Sequence, residues 1–197
     1  MPGVISTLSG YAGGTTEAPT YRAIGDHSET VRVIFDPAQI SYRELLEVFW
    51  QLHDPSARPY LNQYRNAIFT LDEEQHRVAV ASSRALAQTL GRPVNTPIEK
   101  AGHFTPAEDY HQKHYLKGPK PLLELLRERY PDSQQLFRST EAARLNGYLG
   151  CNAEPEQLGP GLRALDLPVT LERELFDSLT LTCRNYRGVG CVLPPRQ

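Results

Sequence analysis

Hydrophobic and polar positions alternate early in the chain and then settle into helical spacing. Residues 3–9 open with a short β-branched strand. GYAGGTTEAPTY follows, and its Gly, Thr and Pro gather as they do in a loop. ETVRVIF alternates, with Val31, Val33 and Phe35 on one face and Thr30, Arg32 and Ile34 on the other, until Asp36-Pro37 stops it. Helical spacing begins after Ser41, where Glu44 three residues on completes a capping box. Leu45, Leu46, Phe49 and Trp50 share one face over 42–52, so this helix is expected to cover a sheet and Trp50 to lie in the core. NQYRNAIFTL returns as a strand. A long helix over 72–90 opens on Asp72, Glu73 and Glu74 and closes at Gly91. Residues 96–100 read as a strand and PAEDYHQKHYLK as a short helix.

These elements predict an α+β fold, a two-layer sandwich whose mixed sheet is built from 3–9, 29–35, 63–70 and 96–101. Beyond GPKP the pattern is helical throughout, in PLLELLRERY, TEAARLNGYL, LGPGLRALDL and LERELFDSL. The chain therefore divides into an α+β domain over 1–117, a helical C-terminal extension over 118–180 and a cysteine-bearing tail over 181–197.

Composition narrows the function classes. Of 197 residues, 40% are hydrophobic and 22% charged, as in a globular rather than a disordered chain. Lys plus Arg (21) nearly balance Asp plus Glu (23), a net charge of −2, which gives no footprint for nucleic acid or an acidic lipid surface. No run approaches the ~18 apolar residues of a membrane span, and MPGVISTLSG lacks the basic start of a secretory signal. The expectation is a cytoplasmic monomer without nucleic-acid or membrane partners. Three cysteines, an odd number, do not make a disulfide-stapled secreted scaffold.

Candidate chemistry falls in five places. The paired glycines of GYAGG, with PTY ending at Tyr21, suit either close approach to a ligand or a tight turn. In GDHSE, Asp26, His27 and Glu29 precede a strand; a carboxyl partly desolvated there could act as an acid near neutral pH, and solvated loop charges are the bland alternative. Tyr64 in NQYRN suits core packing and a polar site contact equally. Glu108, Asp109, His111 and His114 form a loose set of metal-ligand types whose spacing fits no standard zinc signature. Cys183 and Cys191 flank Gly188 and Gly190, which would let the segment fold back until the sulfurs meet; two separately buried thiols are the alternative. Cys151 reads as an inert small hydrophobe.

Taken in order, GVISTLSGYAGG, PTY, GDHSETVRVIFDP, ISYRELLEVFWQLHDP, NQYRNAIFTL and FTPAEDYHQKHYL resemble the peptide methionine sulfoxide reductase A family over residues 3–117. GVGCVLPP resembles the recycling-cysteine segment of some members, and STEAARLNGYLG an insert of certain long members. The resemblance implies a ferredoxin-like reductase A fold. It implies a thiol-dependent oxidoreductase that reduces the S epimer of free and peptidyl methionine sulfoxide, repairs oxidised proteins and uses thioredoxin as external reductant, with no bound cofactor or metal. Carried over by motif, Glu29 gives a hydrogen bond or proton to the departing oxygen and Tyr21 and Tyr64 hold that oxygen. Cys183 and Cys191 match the recycling pair. The family's GCFW segment, with its nucleophilic Cys, precedes the GVIST strand, whereas these 197 residues start at Met1-Pro2-Gly3. The loop between HDP and NQYR is short, and a family Asp in it has no clear counterpart. Two other readings stand beside reductase activity: a non-catalytic member that binds oxidised methionine, and a thiol redox protein using only its tail cysteines.

Overall fold

Ser41 does what its spacing predicts. In the computed structural model, which describes residues 1–59 and 61–184, its hydroxyl accepts from Glu44 N while the Glu44 carboxylate accepts from Ser41 N at 2.7 Å. Helix α1 (Tyr42–Gln51) starts on this reciprocal cap. The long helix α2 (Glu73–Leu90) is capped by Asp72, whose carboxylate accepts from Gln75 N at 2.7 Å. Gly91 ends it at φ 64°, the left-handed conformation that glycine adopts without a Cβ penalty.

Among the described residues the strands form two sheets, not the single sheet expected. Strands β1 (Val4–Ala12), β2 (Ser28–Phe35) and β5 (Thr105–Pro106) make one, in the order β2-β1-β5. β5 is antiparallel to β1, with Gly10 opposite Pro106 and Tyr11 opposite Thr105. Strands β3 (Ile68–Thr70) and β4 (Ile98–Lys100) form a parallel pair connected by α2, a βαβ unit. Leu46 and Trp50 of α1, Ile68 of β3 and Ala79 of α2 build the core there, with Phe49, Val78 and Ile98 packed against it. Helix α1 thus packs against α2 and shares this core with the β3–β4 pair, and Trp50 is a core residue whose Nε1 donates to Ser82 Oγ at 2.5 Å.

NQYR is not a strand. Asn62–Tyr64 form a single 3-10 turn, because the side chains of Asn62 and Gln63 bond to residues far along the chain. In β2 the alternation is present, but Val31 and Val33 lie on the exposed face and the Arg32 guanidinium stacks 4.5 Å from the Phe104 ring centroid.

The chain divides into two compact units, one of residues 2 and 8–109, the other of residues 1, 3–7 and from Tyr110 onward. The boundary expected after Lys117 thus falls inside the second unit. PAEDYHQKHYLK is two 3-10 turns, Asp109–His111 and His114–Lys117, in place of one helix. Helices α3 (Lys120–Arg129), α4 (Ser133–Arg138), α5 (Thr140–Leu149), α6 (Pro155–Arg163) and α7 (Val169–Arg184) follow. Helix α4 has no counterpart in the sequence pattern, and α7 runs through Cys183, so residues 181–184 are helix and not tail. Arg129 ties three parts together, donating to Glu141 at 2.6 Å, to Leu165 O at 3.0 Å and to Asp166 O.

Lys113 is 6% exposed, and its Nζ donates to the carbonyl and the hydroxyl of Thr7. Burial pulls its amine down to about 8. In the unfolded chain a lysine stays protonated to about pH 10.4, so between these values the unfolded state binds more protons and stability rises with pH. Lys113→Met removes that dependence. The stability advantage of Lys113→Met over the parent in urea unfolding is expected to shrink as pH rises from 8 to 10.4, and an advantage that stays constant over the window would show that the amine does not titrate there.

Candidate active site

The loop after β1 is held in shape by one carboxylate and one imidazole. Asp26 Oδ1 accepts from Thr16 Oγ1 (2.7 Å) and Thr16 N (2.9 Å), and Oδ2 accepts from Thr15 N (2.8 Å) and Thr15 Oγ1 (2.9 Å). These bonds, those from Thr16 first, hold the Asp26 carboxyl far below the usual carboxylate range. His27 is 2% exposed; its Nδ1 accepts from Gly14 N at 3.3 Å and its Nε2 faces Thr16 O at 2.8 Å. Those partners put the ring proton on Nε2. Asp26 and His27 are thus scaffolding for the loop that leads to Tyr21.

Tyr21 is fixed by Glu108. Glu108 Oε1 accepts from Tyr21 N at 3.1 Å and Oε2 from Tyr11 Oη at 2.7 Å. Tyr11 is 2% exposed, whereas the Tyr21 side chain is exposed. Sequence reasoning missed this role for Glu108, because Tyr11 and Tyr21 are 97 and 87 residues away. Among the described residues no group of three or more His, Cys, Asp or Glu side chains is arranged to hold a metal ion.

The start of β2 is tied to the 3-10 turn. Ser28 Oγ donates to Asn62 O (2.9 Å) and accepts from Arg65 Nε (2.8 Å), while Asn62 Nδ2 donates to Asp26 O (2.6 Å). Arg65 also makes a two-pronged ion pair with Glu99, at 2.6 and 2.7 Å. On this frame Gln63 Nε2 donates to Glu29 Oε1 at 2.8 Å, beside Tyr64 in the turn. The structure therefore brings Glu29 together with the turn that carries Tyr64, and anchors Tyr21 on a different carboxylate. Glu29 is exposed, contrary to the expected partial burial, because it sits on the same outward face of β2 as Val31 and Val33.

The expected Cys183–Cys191 pairing involves a residue outside the described ones, Cys191. Cys183 is bonded to Cys151. Cys151 is thus no inert hydrophobe.

Among solved structures, an α+β fold of the methionine sulfoxide reductase A kind is shared with Mxr1 of Saccharomyces cerevisiae in its reduced form. That match has a TM-score of 0.56 and 25% identity, over 60% of this chain and 74% of that one. It is shared also with methionine sulfoxide reductase A of Corynebacterium diphtheriae, at TM-score 0.52 and 32% identity, over 60% and 66%. Among sequences, the peptide methionine sulfoxide reductase MsrA of Pectobacterium atrosepticum is 46% identical over 133 residues, 60% of this chain and 63% of that protein. The reductase A5 of Oryza sativa is 44% identical over 154 residues, 75% of this chain and 60% of that protein. The sequence pattern described as Peptide methionine sulfoxide reductase matches residues 1–142, so the chain belongs to that family. It spans about three-fifths of the length of these curated relatives.

Proposed function

We propose that this chain supplies the oxygen-binding and thiol-recycling parts of a methionine sulfoxide reductase acting on the S epimer of free and peptidyl methionine sulfoxide. The observation that supports it is the Glu29–Gln63 bond, which ties the carboxyl to the turn that carries Tyr64 and occupies one of its oxygens. The other carboxyl oxygen has no hydrogen-bond partner among the described residues and can carry the proton that the sulfoxide oxygen needs.

The chemistry is a net transfer of one oxygen. A thiol and a sulfoxide give a sulfenic acid and a thioether; a second thiol condenses with the sulfenic acid to a disulfide and water; a dithiol reductant of the thioredoxin class reopens the disulfide. Glu29 and the hydroxyls of Tyr21 and Tyr64 act on the oxygen in the first step. The nucleophilic thiol belongs to the GCFW segment implied by the resemblance, and the cysteines of this sequence all lie after residue 150. No cofactor takes part in these steps. No helix of the described residues is long and apolar enough to cross a membrane. We place the protein in the cytoplasm as a monomer, where a thioredoxin-class reductant can serve it.

The experiment compares the 197-residue chain with the same chain fused behind the GCFW-bearing N-terminal segment of a family relative. The fused form is expected to reduce the S epimer of N-acetylmethionine sulfoxide with a dithiol reductant and leave the R epimer untouched; the 197-residue chain is expected to show almost no turnover. Full turnover by the unfused chain would make one of its own cysteines the nucleophile. Sulfoxide binding without turnover by the fused form would favour a non-catalytic binding module.

A further inference from the structure

Helix α7 carries Leu175, Leu179 and Cys183 at i, i+4 and i+8, one stripe of its surface, and both leucines are buried. The period of the helix thus turns Cys183 toward the rest of the helical unit. Cys151 meets it from the turn that ends α5. The backbone there is held in place: Cys151 N donates to Tyr148 O at 3.0 Å, and Asn152 Nδ2 donates to Gly150 O at 2.9 Å. Cys151 sits at φ 58°, a conformation that favours Gly or Asn and that a cysteine adopts at a cost. A cysteine has no conformational advantage at this place. What it contributes is its sulfur, and that sulfur is bonded to Cys183 across a separation of 32 residues.

We infer that Cys151 and Cys183 form a reversible dithiol–disulfide couple, a redox site inside the helical unit that shares Cys183 with the expected Cys183–Cys191 pair. Both residues are half-buried, so an attacking thiolate can reach the bond. Closing the couple takes two electrons and two protons from the thiols: with glutathione disulfide as oxidant, two cysteine thiols become one disulfide and two glutathione thiols are released. A dithiol reverses this through a mixed disulfide. While the couple is closed Cys183 has no thiol to offer a sulfenic acid, so Cys151 decides whether Cys183 can take part in recycling. This goes beyond the reductase reading, and its test uses thiol chemistry alone.

The test equilibrates the full 197-residue chain and its Cys191→Ser, Cys151→Ser and Cys183→Ser variants with glutathione disulfide, then traps free thiols and maps disulfide peptides. Circular dichroism of each reduced variant checks that it is folded. Cys191→Ser is expected to lose two thiols per chain, to yield the Cys151–Cys183 peptide, and to regain both thiols in dithiothreitol under native conditions. The parent is expected to yield the same peptide, and Cys183→Ser to yield none. In Cys151→Ser that peptide is absent and the only pairing left is Cys183 with Cys191. Two thiols remaining free in oxidised Cys191→Ser would overturn the inference. So would a Cys151–Cys183 bond that dithiothreitol opens only after unfolding, because the bond would then be a permanent staple.

Discussion

Glu29→Gln in the fused, GCFW-bearing form is expected to lower kcat for sulfoxide reduction by about 10²-fold, the usual worth of a positioned general acid. The substitution is nearly isosteric. The amide oxygen can still accept from Gln63 Nε2, which lies 2.8 Å from Glu29 Oε1 in the parent, so the contact between β2 and the 3-10 turn survives. The amide nitrogen replaces the second carboxyl oxygen and can donate a hydrogen bond, but it has no proton to give up. Binding of the sulfoxide oxygen is thus retained and the loss falls on kcat, with KM changed little. Gln63→Ala tests the positioning separately. It leaves the carboxyl in place but untethered, and a loss of a few-fold is expected. Steady-state kinetics on both variants, with circular dichroism to show that they fold, decides the matter. A Glu29→Gln variant within twofold of the parent would remove Glu29 from the proton-transfer role.

Features coded by neighbours a few residues apart were legible in the sequence, and those closed by distant partners were not. The Ser41–Glu44 capping box, the Asp72 cap and the Gly91 stop are local, and each forms as its spacing predicts. The motif of Glu29, Tyr21 and Tyr64 was legible through its resemblance to a family, but the frame that holds these residues was not. Tyr64 reads as part of a strand because NQYRNAIFTL is rich in β-formers. It sits in a turn because Asn62 reaches Asp26 O, 36 residues back, and Gln63 reaches Glu29, 34 residues back. The exposure of Glu29 was equally hidden. Alternation says that Glu29, Val31 and Val33 share a face, but which face is covered depends on Phe104, which takes Arg32. Cys151 follows the same rule. Its neighbours suggest a small core residue, and only the separate geometry of α7 reveals its bond to Cys183.

Gly13→Ala is expected to destabilise the β1-to-Tyr21 loop by about 2–4 kcal/mol, the sum of a conformational and a steric cost. Gly13 sits at φ 79°, where a side chain costs about 1–2 kcal/mol. A Cβ there would lie 2.5 Å from Cε1 and Cζ of Phe69 and 2.9 Å from Arg65 Nη2. The Phe69 ring has little room to yield. It belongs to β3, and the Arg65 guanidinium lies over it, 5.6 Å from its centroid. Arg65 is in turn held by Glu99 and Ser28. Urea unfolding of Gly13→Ala, Phe69→Leu and the double variant separates the two costs, because shortening Phe69 relieves the clash and leaves the φ penalty intact. A coupling of about 1 kcal/mol or more between the two sites is expected. A Gly13→Ala variant as stable as the parent would show that the loop can relax away from Phe69 without loss. The glycine would then not be what holds the path from β1 toward Tyr21 against the turn of Tyr64.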